Sequence, residues 1–249
     1  MLERAFVRVE GPDAETYLQG QLSQDVAGLE GSKASFLLEP TGKVVALLRV
    51  TREAGDRFLL DTDAEAGDAM LARLRKYLLR TNATIELVDG MTCVRVFGDT
   101  DGVPAVWPEP APVDRFGASD DSTLEVTEYH RRRIEAGVPI SGVDIGAETI
   151  PAEVGAWAIE AAASFSKGCY TGQELVARID SRGGNVPRPL RVLRLSTPVE
   201  AGAEIVDADG KPAGHVTSAA ADVALGPCAR RLELGAVVTV GGVTAVVER

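Results

Sequence analysis

Ten residues, Ser166-Lys167-Gly168-Cys169-Tyr170-Thr171-Gly172-Gln173-Glu174-Leu175, set a thiol beside a cation just ahead of a predicted helix. Thr171 and Glu174 have the T-x-x-E spacing of a capping box, and Leu175, Val176 and Ile179 follow at helical intervals, which puts the N-cap at Thr171. Cys169 then stands two residues before the cap, near the positive end of the helix dipole, with Lys167 close by and Gly168 and Gly172 leaving room for an approaching group. Each feature lowers a thiol pKa from its free value of about 8.5, so a reactive cysteine is one reading and a small residue filling a tight turn the other.

A second candidate is Glu135, in Arg133-Ile134-Glu135-Ala136-Gly137-Val138-Pro139. A carboxylate at a helix end faces the negative pole of the dipole and calls for a cationic or hydrogen-bonding partner. A ligand and a solvated surface glutamate both answer that description, and Arg131, Arg132 and Arg133 are at hand as partners or as complements to the helix end. Metal chemistry has little to build on: there are two histidines, and Cys93, Cys169 and Cys228 are dispersed, without the clustered spacing of zinc or iron–sulfur ligands. The odd, scattered cysteines also argue against a disulfide framework and for a reducing compartment.

The elements that must position these residues read as α+β. Phe6, Val7 and Val9 mark a strand, Pro12 opens a helix with Tyr17, Leu18 and Leu22 as its buried stripe, and residues 35–38 and 44–50 form a hairpin turning at Pro40-Thr41-Gly42. A strand at 57–60 leads to Asp61-Thr62-Asp63, which caps a helix carrying Met70, Leu71, Leu74, Tyr77 and Leu78. Residues 83–88 and 91–97 read as a second hairpin turning at Asp89-Gly90, 103–107 as an edge strand, 124–126 as a short strand, and Thr127 as the cap of a helix ending at Gly137. From Leu190 onward, short apolar runs alternate with Gly-containing turns, the pattern of a small antiparallel β-barrel. Boundaries are expected at 1–97, 98–185 and 186–249.

The net charge of −11 argues against general nucleic-acid binding through bulk charge. Against it, Lys167, Arg178, Arg182, Arg188, Arg191 and Arg194 face only Glu174 and Asp180, a local basic excess suited to an anionic ligand or to a solvated face. No apolar run is long enough to cross a membrane and the first residues lack an export pattern, so a cytoplasmic protein is expected.

Lys167-Gly168-Cys169-Tyr170-Thr171-Gly172-Gln173-Glu174 closely resembles the K-G-C-Y-x-G-Q-E motif of the YgfZ family, folate-binding relatives of the glycine-cleavage T-protein (aminomethyltransferase). Residues 17–26 resemble its F-L-Q-G-Q-x-T-x-D-V, residues 133–139 its R-x-E-x-G-x-P, Ile150-Pro151-Ala152-Glu153 the P-x-E that follows, and Gly214-His215-Val216-Thr217-Ser218 its G-x-V-T-S. The resemblance implies three domains in a ring around a central folate cavity, closed by a C-terminal antiparallel β-barrel. It implies tetrahydrofolate or a derivative as cofactor, with Glu135, Tyr170, Gln173 and Arg178 on the folate side, and Cys169 with Lys167 supplying thiol chemistry at that cavity.

It further implies iron–sulfur enzymes or their assembly proteins as partners, a tRNA-modifying enzyme among them, with no direct nucleic-acid or membrane binding. One departure bears on activity. Aminomethyltransferases resemble G-G-I-x-D-D after the hairpin turn, whereas Gly42-Lys43-Val44-Val45-Ala46-Leu47 has Ala46 and Leu47 in place of the aspartates, so aminomethyl transfer is not expected. The alternatives are a one-carbon transferase with another acceptor and a scaffold that has kept the fold without folate.

Overall fold

The computed structural model describes residues 1–119, 124–181 and 183–249. β1 (Arg4–Glu10), α1 (Ala14–Gln21), β2 (Ser32–Leu38), β3 (Val44–Ala54), β4 (Arg57–Asp63), α2 (Gly67–Lys76) and β5 (Thr84–Leu87) build a five-stranded sheet in the order β2-β3-β4-β1-β5. Every pairing is antiparallel. The near-continuous apolar run in β3 follows from burial on both faces. One face packs Val7, Leu48, Val50 and Leu60 against Leu18 of α1 and Met70 and Leu74 of α2. The other packs Phe36, Leu38 and Leu47 against a later helical layer. Each such side chain contributes roughly 1.5–3 kcal/mol.

The hairpin expected across Asp89-Gly90 does not form. Gly90 does turn, with φ +72°, but β5 pairs with β1 whereas β6 (Cys93–Val96) pairs with β8 (Val113–Phe116) in a separate sheet, β6-β8-β7, with β7 (Val103–Pro104) at its edge. A buried ionic network fixes this sheet to the first. Arg49 makes two hydrogen bonds to Asp61 (2.9 and 3.0 Å) and an ion pair to Asp114 (3.0 Å); Arg4 also reaches Asp61, and Arg95 grips Asp114 at 2.8 and 2.9 Å. Burial alone would raise Asp114, but Arg95, Arg49 and Arg4 outweigh it and hold the carboxyl below its usual value.

α3 (Val126–Glu135) begins where a short strand was expected, with Glu125 rather than Thr127 at its N-cap. It ends at Gly137, φ +69°, in a Schellman arrangement: Gly137 N–H donates to Ile134 C=O and Val138 N–H to Arg133 C=O. α4 (Pro151–Val154), α5 (Ala156–Ala162) and α6 (Gln173–Asp180) cover the second face of the five-stranded sheet.

The chain finishes in a seven-stranded antiparallel sheet: β9 (Leu190–Leu195), β10 (Glu204–Val206), β11 (Pro212–His215), β12 (Ser218–Ala220), β13 (Val223–Pro227), β14 (Val237–Val240) and β15 (Val243–Val247), in the order β11-β10-β14-β15-β9-β13-β12. It curls until Gly214 of β11 bridges to Cys228 just after β13. That approach needs glycine: a Cβ on Gly214 would lie 2.2 Å from the Pro227 carbonyl oxygen, and one on Gly226 would lie 2.0 Å from that of His215.

A second buried ion pair ties the barrel on. Arg133 donates to Asp144 at 3.0 Å, and Asp144 also accepts from Thr217 Oγ1 at 2.5 Å and from Ile140 N–H at 2.8 Å. Cys93 and Cys228 are buried, and burial pushes both thiols up to about 12. Among the described residues no helix is long and apolar enough to cross a membrane.

Asp144→Ala leaves the buried Arg133 guanidinium without its carboxylate and should cost about 3–5 kcal/mol in denaturant unfolding. Arg132→Ala, which removes an exposed i,i+4 pair with Glu128 and a guanidinium stacked over the Phe97 ring, should cost about 1 kcal/mol or less. Similar losses in the two variants would refute the tie.

Candidate functional site

The Cys169 turn is held from below by Lys167. Its Nζ donates to the backbone carbonyls of Gln19 (2.7 Å), Leu22 (2.9 Å) and Gln24 (2.9 Å), at and just beyond the C-terminal end of α1. All three ammonium hydrogens are thereby engaged, at the helix pole that favours a cation. Burial pulls Lys167 down to about 8, which still leaves it mainly charged at neutral pH. Ser164 N–H to Ser23 C=O and Thr171 N–H to Gly20 C=O continue the attachment on either side. Cys169 itself points out of this clamp and is exposed.

The expected capping box is absent. α6 starts at Gln173, with Gly172 at the N-cap (φ +84°) and no side-chain cap; Glu174 pairs with Arg178 instead. The reason is tertiary. A Cβ on Gly172 would stand 2.7 Å from the Glu39 carbonyl oxygen, and one on Gly42 would stand 2.5 Å from Leu175 Cβ, so the β2–β3 turn and the start of α6 pack glycine against glycine. That contact sets the helix start, and Cys169 lies three residues before its cap.

The other expected site residues scatter. Tyr170 is buried in the core with Leu47 and Val176, its phenol pushed up to about 12 by burial. Gln173 is half-buried, and Arg178 is exposed and committed to Glu174. Glu135 faces the barrel, where its carboxylate pairs with Arg131 (2.9 Å) and with Arg194 of β9 (3.0 Å). Tyr129, His130 and Arg133 take the inward side of α3, as helical spacing requires once Arg131 and Glu135 share the other. The basic excess around α6 is mostly spent as well: Arg188 lies 3.9 Å from Glu153 and Arg194 pairs with Glu135, Asp222 and Glu248, while Arg182 lies outside the described residues.

What remains is a cleft of about 600 Å³ bounded by all three sheets or the helices upon them. Pro108 comes from the loop between β7 and β8, Glu153 and Trp157 from α4 and α5, and Arg191 from β9, with Arg230 and Arg249 beside it. Arg230 spends one Nη on Asn185, and Arg249 one on the Ala136 carbonyl. Arg191 differs from both: its Nε is buried and has no hydrogen-bond partner. Glu153 is nearly buried, raised by that burial, and accepts from the backbone N–H groups of Ile150 and Arg188.

A cavity of this size with an aromatic wall and Arg191, Arg230 and Arg249 in its lining suits a flat, partly anionic organic molecule. Among the described residues that line it, neither Glu135 nor Cys169 appears. Arg191 was visible in the sequence only as one member of a charge excess, and Trp157, Arg230 and Arg249 carried no signal.

The family described as CAF17, C-terminal beta-barrel domain, matches residues 188–249. An uncharacterized protein of Haemophilus influenzae is 32% identical over 235 residues, covering 86% of this chain and 81% of its own. The tRNA-modifying protein YgfZ of an Enterobacter species is 33% identical over 220 residues, covering 73% of this chain and 67% of its own; that of Klebsiella pneumoniae is 31% identical over 222 residues. Among solved structures, glycine cleavage system aminomethyltransferase T from Bartonella henselae superposes with a TM-score of 0.78, covering 99% of this chain and 83% of its own at 20% identity, a likeness of fold.

Two outcomes follow from the geometry. Lys167→Ala, which strands three carbonyls, should lower stability by about 3 kcal/mol in denaturant unfolding; a loss below about 0.5 kcal/mol would mean that the clamp is idle. Arg131 and Arg194 hold Asp222 down to about 2, below its ordinary value near 3.8. The stabilisation from Asp222 is therefore complete above about pH 4 and lost as pH falls through 2. The wild type should exceed Asp222→Asn in stability by less than about 1 kcal/mol at pH 6, with the difference vanishing on acidification. A difference that grows toward acid would reverse the assignment.

Proposed function

The chain belongs to the YgfZ family, and from that premise we propose that it is a tetrahydrofolate-binding factor for the assembly or repair of iron–sulfur clusters in particular enzymes, tRNA-modifying ones among them. Cys169 is its reactive thiol. The observation that carries the folate half is the 600 Å³ cleft itself, which brings Glu153, Trp157 and Arg191 together in its lining. Tetrahydrofolate joins a flat pterin to an aromatic linker and a glutamate with two carboxylates. The residues present fit it: Trp157 offers a ring wall, the Glu153 carboxylate can accept from the pterin N–H edge, and Arg191 can donate to a tail carboxylate.

When bound, the reduced pterin supplies a one-carbon carrier or a reductant. The protein's own part is to orient it and to shield it from water. The transferase alternative lacks a group to act on such a carrier: Ala46 and Leu47 are apolar and buried where the related aminomethyltransferases have aspartates. Cys169, exposed on a rigid turn, is open to a partner protein.

Calorimetric titration with tetrahydrofolate and its formyl form tests this reading. Wild type should bind, Arg191→Ala should bind roughly tenfold or more weakly, and Glu135→Ala should bind like wild type. Loss of binding in Glu135→Ala but not in Arg191→Ala would move the pterin to α3; no binding by the folded wild type would leave the scaffold reading. In cells, Cys169→Ala should abolish support of iron–sulfur enzymes with an unchanged melting temperature, and an equally active variant would end the thiol role.

A further inference from the structure

An apolar groove of about 330 Å³ lies between α5 and α6; it adjoins the cleft at Ala152, Ala156 and Gly184, and no arginine is among the described residues that line it. Ile159, Phe165, Val176 and Ile179 line it, and Phe165 is 51% exposed, an apolar surface that a monomer gains nothing by showing to water. Two carboxylates stand at its edge, Glu160 and Asp180, both exposed. Glu160 belongs to the last turn of α5 and Asp180 is the last residue of α6. Both therefore face the negative poles of their helices, where a cation is favoured and an anion is not. Among the described residues neither end provides compensation: α5 has no basic residue in its last turn, and α6 has only Arg178, already paired with Glu174. Among the described residues Glu160 and Asp180 have no ion pair or side-chain hydrogen bond.

We infer that this groove docks a segment of a partner protein that presents a large apolar side chain flanked by lysine or arginine. The apolar side chain fills the space between Ile159, Phe165 and Ile179, and the flanking cations meet Glu160 and Asp180, relieving an electrostatic misfit that the free chain leaves standing. Other occupants match less well. A nucleic acid would bring phosphates to two carboxylates, a neutral apolar molecule would leave both acids uncompensated, and a second copy of this chain carries a net charge of −11. The location also has a use. α6 spans eight residues, about 12 Å, and the Cys169 turn adjoins its other end. A protein held at the groove therefore lies within reach of that thiol, whether or not the cleft binds folate.

The test is selection of a random dodecapeptide phage library on the intact protein, with counter-selection on the double variant Glu160→Lys/Asp180→Lys, followed by fluorescence anisotropy with the best synthetic peptide. Enriched sequences should carry Phe, Trp or Leu next to Lys or Arg. The peptide should bind the double variant, and separately Phe165→Ser, roughly tenfold more weakly than wild type, with affinity falling as salt rises from about 50 to 300 mM. Enrichment without basic residues, or equal affinity for wild type and the double variant, would overturn the inference. Displacement of the peptide by single-stranded RNA would overturn it in favour of a nucleic acid, and displacement by spermidine in favour of a small cation.

Discussion

A single ammonium group holds the most distinctive part of this chain in place. Lys167 spends its three hydrogens on the carbonyls of Gln19, Leu22 and Gln24, so the segment that carries Cys169 is fixed to the segment that closes α1. Burying a lysine is costly, and the cost is tolerated because each hydrogen finds an acceptor at a helix end that already favours positive charge. The two stretches separated by about 150 residues thus form one structural unit, and their shared task explains why both read as motifs. Gly42 against Gly172 makes the same connection a second time, between the β2–β3 turn and the start of α6.

The remaining assembly repeats this device with arginine. Arg49 with Asp61 and Asp114 joins the first two sheets, and Arg133 with Asp144 joins α3 to the barrel through Thr217. Both pairs are nearly or wholly removed from water, where deleting one partner is far more damaging than at the surface. Buried charge at module junctions gives geometry more than stability: planar guanidiniums accept few arrangements, so the sheets meet at one orientation.

The sequence was most legible where structure is local. β1, the first hairpin, α1 and its stripe, and most barrel strands follow from alternation, helical spacing and turn residues. It was least legible where a remote contact decides. Asp89-Gly90 announces a turn but not that the flanking strands join different sheets, and T-x-x-E announces a cap that the contact of Gly172 with Glu39 and Leu38 displaces by one residue. Charged residues were read by identity when their roles depend on facing: Glu135 drew attention as an unfavourable carboxylate, yet Arg131 and Arg194 supply its partners, while the neighbouring Arg133 does the buried work. Arg191 stood apart from the other arginines of the charge excess only when its place in the cleft lining was visible in space.

The separation of thiol and cleft constrains any mechanism. Cys169 and the Arg191 cleft occupy different places, so a molecule in the cleft is not in contact with the sulfur. They do share a core. Trp157 lines the cleft and packs against the cluster that buries Tyr170 and Val176, the residues on either side of the glycine that starts α6. Whatever settles on Trp157 therefore bears on the same packed layer that supports the Cys169 turn, and close-packed interiors transmit displacement because they have little free volume to absorb it. An exposed thiol thus stands on a turn backed by the same packed core that forms one wall of the cleft.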